Sequence, residues 1–155
     1  MQDSTLFFHY CPKLIVFSKD KKSVLLARRA GEADYNGVYS FIGGKTETTD
    51  GSLLAGLQRE KNEEIGPDAK LKVCYMMSCY QAWYTKKDGN SMVLPHHIAI
   101  YQSGDIALNP QEYDDYKWVP VDDIDKHALI PANPLAVRAA LRYLPMLTDA
   151  DFVDI

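Results

Sequence analysis

The chain has 155 residues, of which 46% are hydrophobic and 25% are charged. This composition is typical of a globular domain, and we expect one domain over residues 1–155 with a buried core. The formal net charge of −4 disfavours a protein that holds nucleic acid by neutralising phosphates, so we expect no stable nucleic-acid binding. The longest apolar runs are too short to span a bilayer, so we expect no membrane partner.

The cysteines and the N-terminus predict a reducing compartment. The chain has three cysteines, Cys11, Cys74 and Cys79. Their number is odd, and their spacing is not that of a zinc finger. The first residues lack the basic, apolar and small-residue order of a signal peptide. We therefore expect a cytoplasmic protein whose cysteines are small packed residues.

The first half of the chain predicts a hairpin, a short strand and a helix. Two β-rich runs flank a polar turn between Lys13 and Arg29, and a strand follows at 38–42. Apolar and acidic residues then recur at helical spacing over 52–65. Gly66 and Pro67 form a stop signal at the end of this helix.

The second half predicts another hairpin, a strand and a second helix. The apolar stretch 71–84 and the strand 92–102 flank an Asp-Gly turn, and 116–121 is a further strand. The C-terminal helix is predicted over 134–144, with Asn133 as its N-cap and Pro134 in its first position. Strands mixed with two separated helices predict an α/β fold, with a mixed sheet covered on both faces in an α/β/α sandwich.

The helix 52–65 carries three glutamates on one side. Glu60, Glu63 and Glu64 are three and four residues apart, so their carboxylates point toward one region of space. One interpretation is a solvated acidic face, which is common on helices. The other is a site for Mg²⁺ or Mn²⁺, because these ions prefer oxygen ligands and substrate phosphates can complete their coordination.

The sequence around this helix resembles the signature of the Nudix hydrolase family. The segments GGKTE at 43–47 and REKNEEIG at 59–66 match the two ends of that signature. The loop between them has one extra residue, so Asp50 stands where the family has a glutamate. Lys61 occupies a position that is usually apolar. The resemblance implies a Nudix-like sandwich whose signature helix is 52–65.

The resemblance also implies an activity and a set of functional residues. Family members use divalent metal ions to hydrolyse a nucleoside diphosphate linked to another moiety. At the positions that match the family signature, the resemblance implies that the Gly44 carbonyl, Glu60, Glu63 and Glu64 are ligands of Mg²⁺ or Mn²⁺. Glu63 and Glu64 are also expected to be catalytic. Arg59 is expected to brace the loop through Asp50 or Glu47. Among three carboxylates of a later loop, Glu112, Asp114 and Asp115, we select Glu112 as the catalytic base.

The substrate is expected to be a small nucleotide-type diphosphate, and three residues are candidates to bind it: Tyr39, Lys45 and Tyr84. His96 and His97 are adjacent in a strand, so they should face opposite sides of the sheet. One alternative function remains open, in which the chain is a non-catalytic Nudix domain that binds a nucleotide ligand as a sensor or interaction module. Separately, the aromatic strand 75–84 is a candidate contact surface for a homodimer.

Overall fold

A computed structural model describes residues 5–127 and 129–155. Two α-helices and nine strands occur in these residues, and three short 3₁₀ segments follow the eighth strand. In chain order the elements are β1 (His9–Tyr10), β2 (Lys13–Phe17), β3 (Ser23–Arg29), β4 (Tyr39–Ser40), α1 (Leu53–Ile65), β5 (Lys70–Val73), β6 (Tyr80–Thr85), β7 (Ser91–Ser103), β8 (Tyr113–Pro120), the 3₁₀ segment Val121–Lys126, α2 (Ala132–Tyr143), the 3₁₀ segments Leu144–Met146 and Asp149–Asp151, and β9 (Val153–Asp154).

The strands form one mixed sheet organised around β7. The order β4, β3, β2, β7, β5, β9 runs across the sheet, with β8 also paired to β3. One side of β7 carries β1 and β2 in parallel, and the other side carries β6 and β5 antiparallel. The predicted hairpin from Lys13 to Arg29 is present as β2 and β3.

The two helices lie on opposite faces of this sheet. Alternate residues of β2 point to opposite sides, so Ile15 and Phe17 belong to a core with Val137 of α2. Leu14 packs in the other core with Leu57 of α1. The predicted α/β/α sandwich with a mixed sheet is therefore confirmed. Among the described residues, no helix combines the length and apolar character needed to cross a membrane.

The apolar stretch 71–84 does not form the single hairpin arm that its composition predicts. It contains β5 and β6, which both pair with β7 but are separated by residues 74–79. Val73 pairs with Ala99 and Tyr80 pairs with His96, so six residues of this arm lie opposite two of β7. The Nδ1 atom of His97 lies 3.2 Å from the Cys74 carbonyl oxygen and 3.0 Å from the Met77 carbonyl oxygen, which ties the excursion to the sheet.

The helix boundaries agree with the sequence at α1 and differ at α2. Ser52 caps α1 by accepting a hydrogen bond from the Ala55 N–H at 3.1 Å. Gly66 ends the helix at φ 89°. The second helix begins at Ala132, two residues before the prediction, and its N-cap is Pro131 rather than Asn133. Pro134 is tolerated in this first turn because the first four N–H groups of a helix have no intrahelical acceptor.

Candidate active site

The glycine turn before α1 brings the backbone directly against the acidic helix. Gly43 has a φ of +120°, and a Cβ there would overlap the backbone of Pro12 and Lys13. A Cβ on Gly44 would overlap the Glu60 carboxylate. The Lys13 ammonium donates to the Gly43 carbonyl and fixes the turn from the side of β2. Only glycine at these two positions allows so close an approach.

The extra loop residue does not prevent the loop from closing on α1. Arg59 donates from Nε to Asp50 Oδ1 at 2.6 Å and from Nη2 to Asp50 Oδ2 at 3.1 Å. Asp50 also accepts the Glu47 N–H at 2.7 Å, and Arg59 reaches the Lys45 carbonyl at 3.0 Å. The hydrogen bonds from Arg59 hold the pKa of Asp50 below its usual value. Of the two partners expected for Arg59, the structure selects Asp50.

The three glutamates of α1 have different surroundings. Arg59 Nη1 donates to Glu60 at 2.9 Å and to Glu63 at 3.1 Å. Glu64 is buried and accepts hydrogen bonds from the Gly43 N–H and from the Tyr113 hydroxyl, the latter at 3.0 Å. Burial raises the pKa of the Glu64 carboxyl to about 7 and also raises that of Glu60. Placing these carboxylates together as unpaired negative charges costs free energy.

The donor set has the chemistry of a magnesium site, although its carboxylates are turned toward protein partners. Within residues 5–127 and 129–155, no three acidic, histidine or cysteine side chains converge in a metal-binding arrangement. Glu60, Glu63 and Glu64 nonetheless supply only oxygen atoms, as Mg²⁺ prefers, and the Gly44 backbone lies against Glu60. Holding a divalent cation here requires Glu60 and Glu63 to turn away from Arg59.

A cavity of about 510 Å³ opens beside the glutamates. All six glutamates of the chain line it, together with Asp34. Five basic side chains lie on the same walls, namely Lys13, Arg29, Lys45, Arg59 and Lys86. Because carboxylates outnumber cationic groups, a diphosphate bound here needs additional positive charge.

Four candidate residues lie outside α1 and its glycine turn: the three candidate substrate-binding residues and the candidate base. Three of the four line this cavity. Lys45, Tyr84 and Glu112 are on its walls. The Tyr39 side chain is absent from them, because its hydroxyl donates to Asp115 at 2.5 Å on another part of the sheet. Asp114 is paired with Arg28 at 2.6 Å. Glu112 is thus the only one of the three candidate loop carboxylates that reaches the cavity in the described part of the chain.

The cavity is also lined by residues that were not selected as site residues from the sequence. Lys13, Leu94, His96 and Asn133 all line it. His96 and His97 face opposite sides of the sheet, since His96 contacts the rings of Phe41 and Tyr80 while His97 meets Cys74. Alternation along β7 was the signal that could have selected Leu94 together with His96. Lys13 and Asn133 come from distant segments and carry no local motif.

Comparison with known proteins gives matches over most of the chain. The family model described as NUDIX domain matches residues 12–140. An NAD-capped RNA hydrolase NudC from Pseudomonas putida KT2440 is 34% identical over 133 residues, which are 86% of this chain and 42% of that protein. The chain thus spans less than half the length of the curated relatives it matches.

Solved structures with the same fold are more distant in sequence. An Ap4A hydrolase from C. elegans, solved as a binary complex, has a TM-score of 0.71 at 18% identity. The match covers 90% of this chain and 99% of the chain of that hydrolase. The NUDIX domain of Shewanella oneidensis NrtR, solved with ADP ribose, has a TM-score of 0.70 at 18% identity, with 91% of each chain covered. The signature residues, the fold and the match over residues 12–140 lead to one conclusion: the chain belongs to the Nudix family.

Proposed function

We propose that this chain is a metal-dependent hydrolase that cleaves the pyrophosphate linkage of a nucleoside diphosphate joined to another moiety. The observation that carries this proposal is the meeting of Glu60, Glu63, Glu64 and the Gly44 turn on one wall of a cavity rich in carboxylates. A diphosphate and a carboxylate cluster repel each other, whereas divalent cations between them attract both. The relatives named for NAD caps, Ap4A and ADP ribose support this substrate class.

The proposed ligands of Mg²⁺ or Mn²⁺ are the Gly44 carbonyl, Glu60, Glu63 and Glu64. A bound divalent ion would neutralise the diphosphate, polarise phosphorus and make hydroxide available near neutral pH. Arg59 is a positioning residue, because its hydrogen bonds to Asp50 and to the Lys45 carbonyl hold the glycine loop against α1. Its ion pairs with Glu60 and Glu63 would be exchanged for the cation when these carboxylates turn toward it.

In the proposed reaction a water molecule attacks one phosphorus and the P–O bond of the anhydride breaks. Glu112 is the proposed base, since it is the loop carboxylate that lines the cavity, whereas Asp114 pairs with Arg28 and Asp115 accepts from the Tyr39 hydroxyl. Lys45 is proposed to bind phosphate oxygens, and Tyr84 to bind the group attached to the diphosphate. Both products carry a terminal phosphate.

The non-catalytic alternative predicts ligand binding without turnover, and one assay separates the two functions. Purified protein would be incubated with Mg²⁺ and a panel containing NAD, ADP ribose, Ap4A, nucleotide sugars and nucleoside triphosphates. We expect hydrolysis of at least one compound, and loss of that hydrolysis in EDTA. Absence of turnover across the panel, with ligand binding retained, would favour the sensor.

The matched variants for this assay are Glu64→Gln and Asp122→Asn. Glu64→Gln removes an anionic ligand but keeps the side-chain shape, so turnover should fall by about 100-fold or more. Asp122→Asn removes an exposed carboxylate that does not line the cavity and should leave turnover unchanged. Circular dichroism would verify that both variants are folded. Full activity of Glu64→Gln would contradict the proposed role of α1.

A further inference from the structure

Glu64 is held in a different way from the other two glutamates of α1. Each of its carboxylate oxygens accepts one hydrogen bond, Oε2 from the Gly43 N–H and Oε1 from the Tyr113 hydroxyl at 3.0 Å. The other two glutamates pair with Arg59 instead. A carboxylate oxygen has two lone pairs, so these contacts leave one lone pair open on each oxygen of Glu64. Glu64 can therefore bind a cation without giving up either contact.

The position of the Tyr113 hydroxyl is fixed from two directions. The side chain is 3% exposed, and its ring belongs to the core that contains Leu57 and Ile65 of α1. The segment before Tyr113 is tied to the end of α1. The Asn109 N–H donates to the Glu64 carbonyl at 3.0 Å, and the Tyr113 N–H donates to the Asn109 carbonyl at 2.9 Å. The hydroxyl is therefore a rigid donor that is held against the helix carrying its acceptor.

Packing alone does not account for the hydroxyl of Tyr113. A phenylalanine ring would fill the same space in the core and would bring no polar atom into it. The hydroxyl instead meets a carboxylate that is itself only 3% exposed. Donors to a buried carboxylate offset the loss of its hydrogen bonds to water, and they also set the direction in which its oxygens point. Both effects act on Glu64 rather than on the core.

We propose that Tyr113 is a positioning residue whose hydroxyl holds Glu64 in the orientation of a metal ligand before a divalent cation binds. The inference rests on the proposed function, because it takes Glu64 as a ligand of Mg²⁺ or Mn²⁺. It adds a residue from outside the signature, since Tyr113 opens β8 and lies 49 residues from Glu64 along the chain. Glu64 is then the ligand already in place, whereas the two carboxylates paired with Arg59 must turn toward the cation.

Binding of Mn²⁺ alone tests this inference without any substrate. Electron paramagnetic resonance would measure the dissociation constant, because the signal of free Mn²⁺ decreases when the ion binds. We expect Tyr113→Phe to bind Mn²⁺ about tenfold more weakly than the wild type, as is typical when an outer contact of a metal ligand is lost. Tyr116→Phe is the matched control, since it removes an exposed hydroxyl from the same strand and should bind Mn²⁺ as the wild type does.

A double-mutant cycle shows whether the hydroxyl acts through Glu64. Glu64→Gln removes the anionic ligand, so the addition of Tyr113→Phe to this variant should weaken Mn²⁺ binding further by less than about twofold. The same tenfold loss in both backgrounds would overturn the inference. A purely structural hydroxyl would also overturn it, because Tyr113→Phe would then melt at a lower temperature while its dissociation constant for Mn²⁺ stayed unchanged.

If Tyr113→Phe does not fold, NMR of the wild type still tests the inference. The protein would be labelled with ¹³C at the tyrosine Cζ atoms, and the Tyr113 resonance would be assigned from its nuclear Overhauser contacts. We expect Mg²⁺ to shift this resonance, because the carboxylate that accepts the hydroxyl proton then also binds the cation. A Tyr113 resonance that stays in place while Mg²⁺ shifts the Gly44 amide signal would overturn the inference.

The outcomes separate this inference from the proposed function. Mn²⁺ binding that depends on Glu64 but not on Tyr113 would overturn the inference and leave the proposed hydrolysis intact. Conversely, Mn²⁺ binding that depends on both residues, without hydrolysis of any compound in the panel, would retain the inference and remove the proposed catalysis. Absence of Mn²⁺ binding to the wild type would overturn both.

Discussion

Arg59 is the residue through which the loop and the helix of the signature hold each other. Its guanidinium contacts three carboxylates and one carbonyl, all within 3.1 Å. The resemblance to the family implied this brace but left Asp50 and Glu47 as equal partners, since a loop of altered length has no fixed register. The structure resolves the choice because Asp50 also accepts the Glu47 N–H and so closes the loop on itself.

The first prediction concerns the residue that replaces the glutamate of the family signature. Asp50→Asn weakens the bidentate contact with Arg59 and should lower turnover about tenfold, because small displacements of a catalytic loop are costly. Steady-state kinetics with the substrate identified by the panel would measure this. Glu47→Gln is the control, as the Glu47 side chain has no ion pair to Arg59. An equal loss in both variants would contradict the selection of Asp50.

The second prediction concerns Lys61, which lies where the family signature has an apolar residue. Its side chain is only 1% exposed, and its ammonium donates to the Ala69 carbonyl at 2.9 Å. Burial lowers the pKa of this amine. Lys61→Met keeps the volume and removes the buried charge, so we expect the free energy of unfolding to rise by about 1 kcal/mol.

Urea denaturation would measure this change, with Lys61→Ala as the comparison. The alanine variant removes the packed stem as well and should be destabilised by about 2 kcal/mol. A methionine variant less stable than the wild type would mean that the hydrogen bond to Ala69 contributes more than burial of the charge costs.

At the scale of elements, β7 organises the site, and its sequence reveals only part of that role. The helix α1 was predictable because its cap, its stop signal and its glutamates are local features. The division of 71–84 into β5 and β6 was not, since both halves are equally apolar. What separates them is the contact of His97 with the carbonyls of residues 74 and 77, which depends on register across the sheet.

The third prediction concerns the other histidine of β7. Burial lowers the pKa of His96 to about 4 in the folded protein, against about 6.5 in an unfolded chain. As pH falls from 6.5 to 4, the unfolded chain takes up a proton that folded His96 does not. The contribution of His96 to the free energy of unfolding should therefore decrease by up to about 3 kcal/mol across this interval, while the raised pKa of Glu64 acts in the opposite direction.

Urea denaturation at pH 7.5 and pH 5 would measure the loss. His96→Gln should lose less stability than the wild type between the two pH values. The change that remains combines His97, whose pKa is also lowered by burial, with Glu64, whose raised pKa acts in the opposite direction. His9→Gln changes an exposed histidine and serves as the control. The same loss of stability in wild type and His96→Gln would contradict the prediction.

At the scale of the whole molecule, the cavity joins groups from opposite faces of the sheet. Three of its six glutamates come from α1, whereas Asn133 comes from α2, which packs on the other core. A signature motif could therefore predict the part of the cavity wall that α1 and its glycine turn form. The contribution of α2 was not predictable, because Asn133 resembles a helix cap in sequence and only the folded chain places it on the cavity wall.

Hydrolysis in ¹⁸O-labelled water with Mg²⁺ tests the proposed function most directly. Mass spectrometry of the products of NAD, ADP ribose and Ap4A would locate the label and identify the bond that breaks. We predict cleavage of a phosphoanhydride, with one ¹⁸O atom in a terminal phosphate of one product and none in the other. No cleavage of these compounds, or label on a ribose carbon instead of on phosphorus, would contradict the assignment of this site to pyrophosphate hydrolysis.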